Sequence, residues 1–283
     1  EWLVREHRAL FEGCGAAIGE GGGFLLDVGG VRLYPIGAAE RGTLHLRLTA
    51  WGRAGHGSRP NPDNAVVTLV TALARVAAHR WPVRLTPTVR EYLQRTGEAL
   101  GVAVELGTDA EVEATVARLG RAGVLAAGVL RPSTTPTVLS AGSAVNVIPS
   151  TAEALLDTRV LPGGTDEVLE VLDELLGPGV ARSFIARGDA VQAPIDSPWF
   201  AAMAEALRAE DPDAVAVPYC LGGGTDAKAF STLGIPCYGF APLGLPDDPG
   251  YDHRAMAHGV DERVPEAALA FGARVLDRYL RQI

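Results

Sequence analysis

The chain has 283 residues, 47% hydrophobic and 21% charged, which is enough interior for one large domain or two, and two is the expectation. A net charge of -9 without any basic tract argues against nucleic acid or an anionic membrane surface as the main partner and favours a small-molecule or peptide substrate. No apolar stretch approaches the roughly 20 residues of a membrane span. Cys14, Cys220 and Cys237, odd in number and without Cys-x-x-Cys spacing, point to a reducing, cytoplasmic compartment.

Residues 2–11 set Trp2, Leu3, Ala9, Leu10 and Phe11 among Arg, Glu and His, which predicts a short helix ending before Gly13. A strand-like run then leads to Glu20-Gly21-Gly22-Gly23, and residues 24–34, turning at Gly29-Gly30, read as a β-hairpin. Over 43–51, Leu44, Leu46 and Leu48 alternate with polar residues, the period of a strand with one buried face, and a second domain is expected to start there. After the turn-forming Arg59-Pro60-Asn61-Pro62, residues 64–78 form an apolar helix. Residues 81–131 carry a helical stretch at 110–119 and no visible chemistry. Strands at 135–139 and 152–160, an amphipathic helix at 166–176 and a strand at 180–186 complete the order βαββαβ. That order is the ferredoxin-like arrangement, an antiparallel sheet backed by two helices. Beyond Pro194 come a helix, a glycine-rich turn, a helix, a strand and a C-terminal helix, as in an α/β domain resumed after an insertion.

Glu20 and His258 are metal-ligating residue types, yet a catalytic zinc takes about three protein ligands. Singly, on residue type alone, Glu20 reads as a turn acid and His258 as a capping histidine at the start of the last helix. In Gly222-Gly223-Gly224-Thr225-Asp226, backbone N–H groups at a helix start could bind an anion or a developing oxyanion, or the segment is an ordinary capped loop. It lacks the spacing of a P-loop, and no Gly-x-Ser-x-Gly elbow occurs in the chain. His56, in Gly55-His56-Gly57-Ser58, follows a strand on a glycine-flanked turn, where its imidazole could donate to a substrate carbonyl or stand solvated. Asn146 and Arg159 offer the donors and acceptor that grip a carboxylate, and Arg159 suits equally an internal salt bridge to Asp157 or another acid.

Six segments in this order, Glu20-Gly-Gly-Gly, Gly55-His-Gly-Ser-Arg-Pro, Asn146-Val-Ile-Pro, Asp157-Thr-Arg159, Gly223-Gly-Thr-Asp-Ala and His258-Gly-Val-Asp-Glu-Arg, resemble the dizinc family of aminoacylase, glutamate carboxypeptidase, acetylornithine deacetylase and succinyl-diaminopimelate desuccinylase. The resemblance implies a zinc-peptidase-like α/β catalytic domain interrupted by a ferredoxin-like βαββαβ lid that also forms a homodimer. The expected boundaries are 1–39 and 191–283 for the catalytic domain and 40–190 for the lid. It implies Glu20 and His258 as ligands to the two zinc ions, with cobalt or manganese as the other metals, and His56 as the histidine that reaches the partner subunit's site and polarises the scissile carbonyl. Asn146, Arg159, Gly224 and Thr225 match substrate-binding positions. The reaction implied is hydrolysis of an amide bond in an N-acyl amino acid or small peptide with a free carboxylate.

One departure is large. The family's His-x-Asp zinc motif, bridging Asp and Glu-Glu pair precede the acid matched by Glu20, and the nineteen residues before Glu20 contain none of them. The chain is therefore expected to be roughly the C-terminal two-thirds of such an enzyme, to bind metal weakly or not at all alone, and to lack turnover. The alternatives are a noncatalytic dimerising or binding protein that keeps the fold without the metal site, and a chain completed by a separately encoded N-terminal piece.

Overall fold

The computed structural model describes residues 1–246, 248, 251 and 253–283, the side chains of His253 and Arg254 excepted. Two compact units form: Glu1–Glu40, Leu85–Leu130 and Val191–Ile283 make the first, and Arg41–Arg84 with Arg131–Ala190 the second.

The second unit is the βαββαβ arrangement. Its sheet runs Ser133–Ala141, Thr151–Val160, Gly42–Trp51, Val180–Gly188, antiparallel throughout. Strict alternation builds it: Leu44, Leu46, Leu48 and Ala50 face inward beside Ala152, Ala154, Leu156 and Val160, while Arg47 and Glu153 pair on the other face at 3.2 Å. Two helices cover the apolar face. Helix Ala65–Ala78 starts where the Asn64 side chain accepts from the Val66 and Val67 amides, and it buries Leu69, Ala72 and Val76. Helix Thr165–Leu176 adds Val168, Leu169, Leu172 and Leu176 at helical spacing. Pro136 sits where the outer strand's register shifts, a position that spares the ladder a missing N–H.

The first unit is built around Val31–Glu40, a strand buried along its last eight residues. Ala214–Leu221 lies parallel to it, and Leu26–Val28, Cys237–Gly239 and Val191–Gln192 pair antiparallel along its other side; Ala17–Gly19 runs parallel to Cys237–Gly239. The hairpin turn at Gly29-Gly30 takes φ of 62° and 88°, which favours glycine, and the Gly30 amide donates to Asp27. Helices Pro198–Glu210 and Glu266–Gln282 are joined by Glu210, whose carboxylate accepts from Arg274 at 2.6 Å and Arg278 at 2.5 Å. Asp211 is buried and accepts from both Tyr34 and Arg32 at 2.7 Å.

Three expectations change in detail. Residues 2–11 form an α-turn, Trp2–Glu6, and a 3₁₀ turn, Arg8–Phe11, because His7 takes φ -129° and ψ 44° and breaks the helix. Residues 85–130, inside the segment expected as lid, pack with the first unit as helices Pro87–Leu100, Asp109–Arg118 and Arg121–Ala127; Pro87–Leu100 lies on Ala214–Leu221 and Val31–Glu40 and buries Val89, Tyr92 and Leu93. Strand Ala214–Leu221 was not anticipated, since Pro218 interrupts its apolar run. No helix among the described residues is long and apolar enough to cross a membrane.

Candidate functional site

The Glu20 segment gets its place from glycine. Gly22 crosses the sheet so closely that an added Cβ would lie 2.4 Å from the Gly239 carbonyl oxygen and 2.6 Å from the Gly37 amide nitrogen. Backbone bonds fix the crossing: Gly23 N–H donates to Pro35 O at 2.6 Å, and Phe240 N–H to Gly19 O at 2.8 Å. Glu20 itself is exposed and lines a narrow cleft with Gly37, Glu40, Leu221 and Cys237. Burial pushes the Cys237 thiol up to about 11, with the negative charge of Glu40 and Asp226 adding to it, so the group stays protonated at neutral pH.

Glu40 is the functional candidate that sequence reasoning missed. It is 7% exposed at the end of the central strand. Its carboxylate accepts the Thr225 amide at 3.0 Å and, in a short bond, the Thr225 hydroxyl. A carboxylate closing the apolar run Ile36-Gly37-Ala38-Ala39 is the available signal, by the logic that flagged Arg159. Thr225, expected to touch substrate, thus spends both donors on Glu40. Gly224 is exposed in the same loop.

His258 is exposed, takes φ 63°, uncommon for a residue with a side chain, and donates its amide to Glu262 at 3.3 Å. Among the described residues, no group of three or more His, Cys, Asp or Glu side chains could hold a metal ion. Glu20 and His258 are too small a donor set for the two metals that the resemblance implies.

In the second unit, His56 and Asn146 come together. Gly55–His56 pairs antiparallel with Val147–Ile148, His56 opposite Val147, and the Gly57 amide donates to the Asn146 carbonyl at 2.8 Å. The His56 Nδ1 accepts the Ser58 amide at 3.2 Å and lies 2.9 Å from the Ser58 hydroxyl. Because a backbone N–H can only donate, Nδ1 is the acceptor, and the neutral ring carries its proton on Nε2. The ring is exposed, so Nε2–H is presented outward as a donor.

Arg159 is not part of that pair. It lies eight residues along its strand from Thr151, at about 3.4 Å per residue some 27 Å from the end that carries the ribbon. Asp157 holds its guanidinium at 2.7 and 3.0 Å, and Thr43 accepts a third bond at 2.7 Å. The internal salt bridge is therefore made, and two of the five guanidinium N–H donors remain outside these bonds. Hydrogen bonding to Arg159 draws the Asp157 carboxyl below its ordinary value, against a smaller opposing effect of burial.

A family model described as the peptidase dimerisation domain matches residues 38–179. Aminoacylase-1 of Pongo abelii is 27% identical over 272 residues, 91% of this chain and 55% of the relative. The human N-fatty-acyl-amino acid synthase/hydrolase PM20D1 is 25% identical over 262 residues, 88% and 51%. The chain thus spans about half the length of the curated relatives it matches. In fold it is similar to a tripeptidase from Staphylococcus aureus, with a TM-score of 0.60 at 10% identity, covering 99% of this chain and 60% of that one. An M20 family metallo-carboxypeptidase from Sulfolobus solfataricus gives 0.55 at 18%, covering 87% and 59%. With the dimerisation-domain match spanning half of its length, the chain belongs to the M20 metallopeptidase family of aminoacylases and carboxypeptidases.

Proposed function

We propose that this chain is part of a cytoplasmic, homodimeric, metal-dependent hydrolase, which cleaves the amide bond of an N-acyl amino acid or small peptide bearing a free carboxylate. The observation that carries the reading is the His56–Asn146 ribbon, an outward Nε2–H donor on a strand pair that also brings in the Asn146 backbone. As the scissile carbonyl becomes tetrahedral, its oxygen gains negative charge, and a donor fixed in advance stabilises that charge without reorganising. Asn146 orients the substrate next to it. The aminoacylases and PM20D1 supply the substrate class, by likeness. Metal, as zinc, cobalt or manganese, would activate the water in a protein that joins Glu20 and His258 to further ligands.

The separation of Arg159 from Asn146 supports the homodimer. One substrate cannot reach both within the second unit of one chain, so a site that uses both draws His56 and Asn146 from one protomer and Arg159 from the other. The outer strand Ser133–Ala141, exposed over 135–141, offers an edge for a second copy.

The test is hydrolysis of N-acyl amino acids and dipeptides by the longer protein and its His56→Ala variant. Loss of the donor is expected to lower kcat about a hundred- to a thousandfold with a small change in KM. Near-normal kcat would contradict the role of His56. No hydrolysis by a protein with all ligands present would favour the noncatalytic dimer.

A further inference from the structure

We propose that Glu40 is a positioning residue: it clamps the loop 222–226 to the end of the central strand and so holds the Gly223 and Gly224 amides ready for the substrate's carboxylate, an inference that rests on the amide-hydrolase reading. A carboxylate 7% exposed costs stability unless its oxygens are satisfied. Both go to one residue, Oε2 to the Thr225 amide and Oε1 to the Thr225 hydroxyl. That hydroxyl accepts in turn from the Ala227 amide at 3.1 Å, the first residue of helix Ala227–Ser231. The relay runs from sheet to loop to helix start.

The strand beside it prepares the geometry. A register shift between Tyr219 and Cys220 sets Leu221 opposite Glu40, so the loop leaves the sheet next to the carboxylate to which it returns. An added Cβ at Gly222 or Gly223 would meet no atom within 4 Å, the Cβ at Gly224 would meet only the flexible Lys228 side chain, and none of the three has positive φ. Glycine is therefore not demanded here by crowding or by backbone strain. What it provides is open access to amide N–H groups, and among the described residues the Gly223 and Gly224 amides have no acceptor.

Glu40→Gln keeps the shape but removes the charge, and Thr225→Val removes the hydroxyl; Thr225→Ser keeps it. Hydrogen exchange of the Thr225 and Ala227 amides, the two that the relay bonds, is expected to quicken about tenfold or more in this chain in Glu40→Gln and Thr225→Val, since a bond to a charged group is worth about one to two powers of ten. Thr225→Ser should exchange at the original rate, and the Val31–Glu40 amides should stay protected in all three. Unchanged loop exchange in the first two variants overturns the clamp, and Thr225→Val alone decides if Glu40→Gln does not fold. In the longer protein, both variants should raise KM for a carboxylate-bearing substrate about tenfold while kcat holds within about twofold, the signature of lost ground-state binding. Faster exchange without a rise in KM overturns the positioning role. Because exchange is read without turnover, a protein that never hydrolyses amides fails the functional reading and leaves the clamp to be judged by exchange.

Discussion

His56 takes its chemistry from what holds the ring. Ser58 fixes which nitrogen is free, and Asn146 is beside it through the ribbon, so two residues ninety positions apart in the chain become one feature. Both were legible as residue types in suggestive sequence, but the tautomer was not, because it depends on a backbone amide two residues away. Arg159 shows the opposite case. Its residue type fits a carboxylate clamp, yet its own strand neighbour Asp157 already takes two of its five N–H donors and Thr43 a third. That pair has a consequence for pH. The folded carboxyl of Asp157 lies below its unfolded value, so its stabilisation is fully present above the unfolded value and is lost as pH falls through the folded one. Asp157→Asn is expected to flatten the acid limb of a stability-against-pH profile. An unchanged acid slope in that variant would contradict the assignment. Thr225 was readable as part of a special loop, but its partner Glu40, 185 positions away, was not, because only the fold joins them.

At the scale of elements, period decided what could be read. The alternating strands and the 3.6-period helices of the second unit gave the βαββαβ order directly, since each element has one buried face. The first unit was harder. Ala214–Leu221 is mostly apolar and contains proline, so no period marks it as a strand. Of the helices within 85–130 only the stretch at 110–119 is marked in the sequence; Thr86 and Thr108 cap two of them, but a cap carries no information about which unit the helix joins. Glycine at Gly22, Gly37 and Gly239 marks where three backbones touch. Gly22→Ala would drive a Cβ into two backbone atoms, neither able to give way as a side chain can, and is expected to cost about 3 kcal/mol or more. Denaturant unfolding checks this, and a midpoint matching the original protein would show that the crossing is looser than described.

At the scale of the molecule, the match to the peptidase dimerisation domain over residues 38–179 agrees with the dimer proposed above. One end of the second unit's sheet carries His56 and Asn146, the other carries Arg159, and Glu20 with the Gly224 loop belongs to the first unit. In the proposed dimer each protomer lends His56 to the other. The most direct test mixes two variants of the longer protein, His56→Ala and Glu20→Ala, each expected to be inactive alone, after unfolding and refolding them together. Statistical pairing in a two-fold dimer gives mixed dimers in which one site has both residues intact, and activity should return to roughly a quarter of the original. A mixture as inactive as its components, with mixed dimers present, would show that His56 does not act across the dimer.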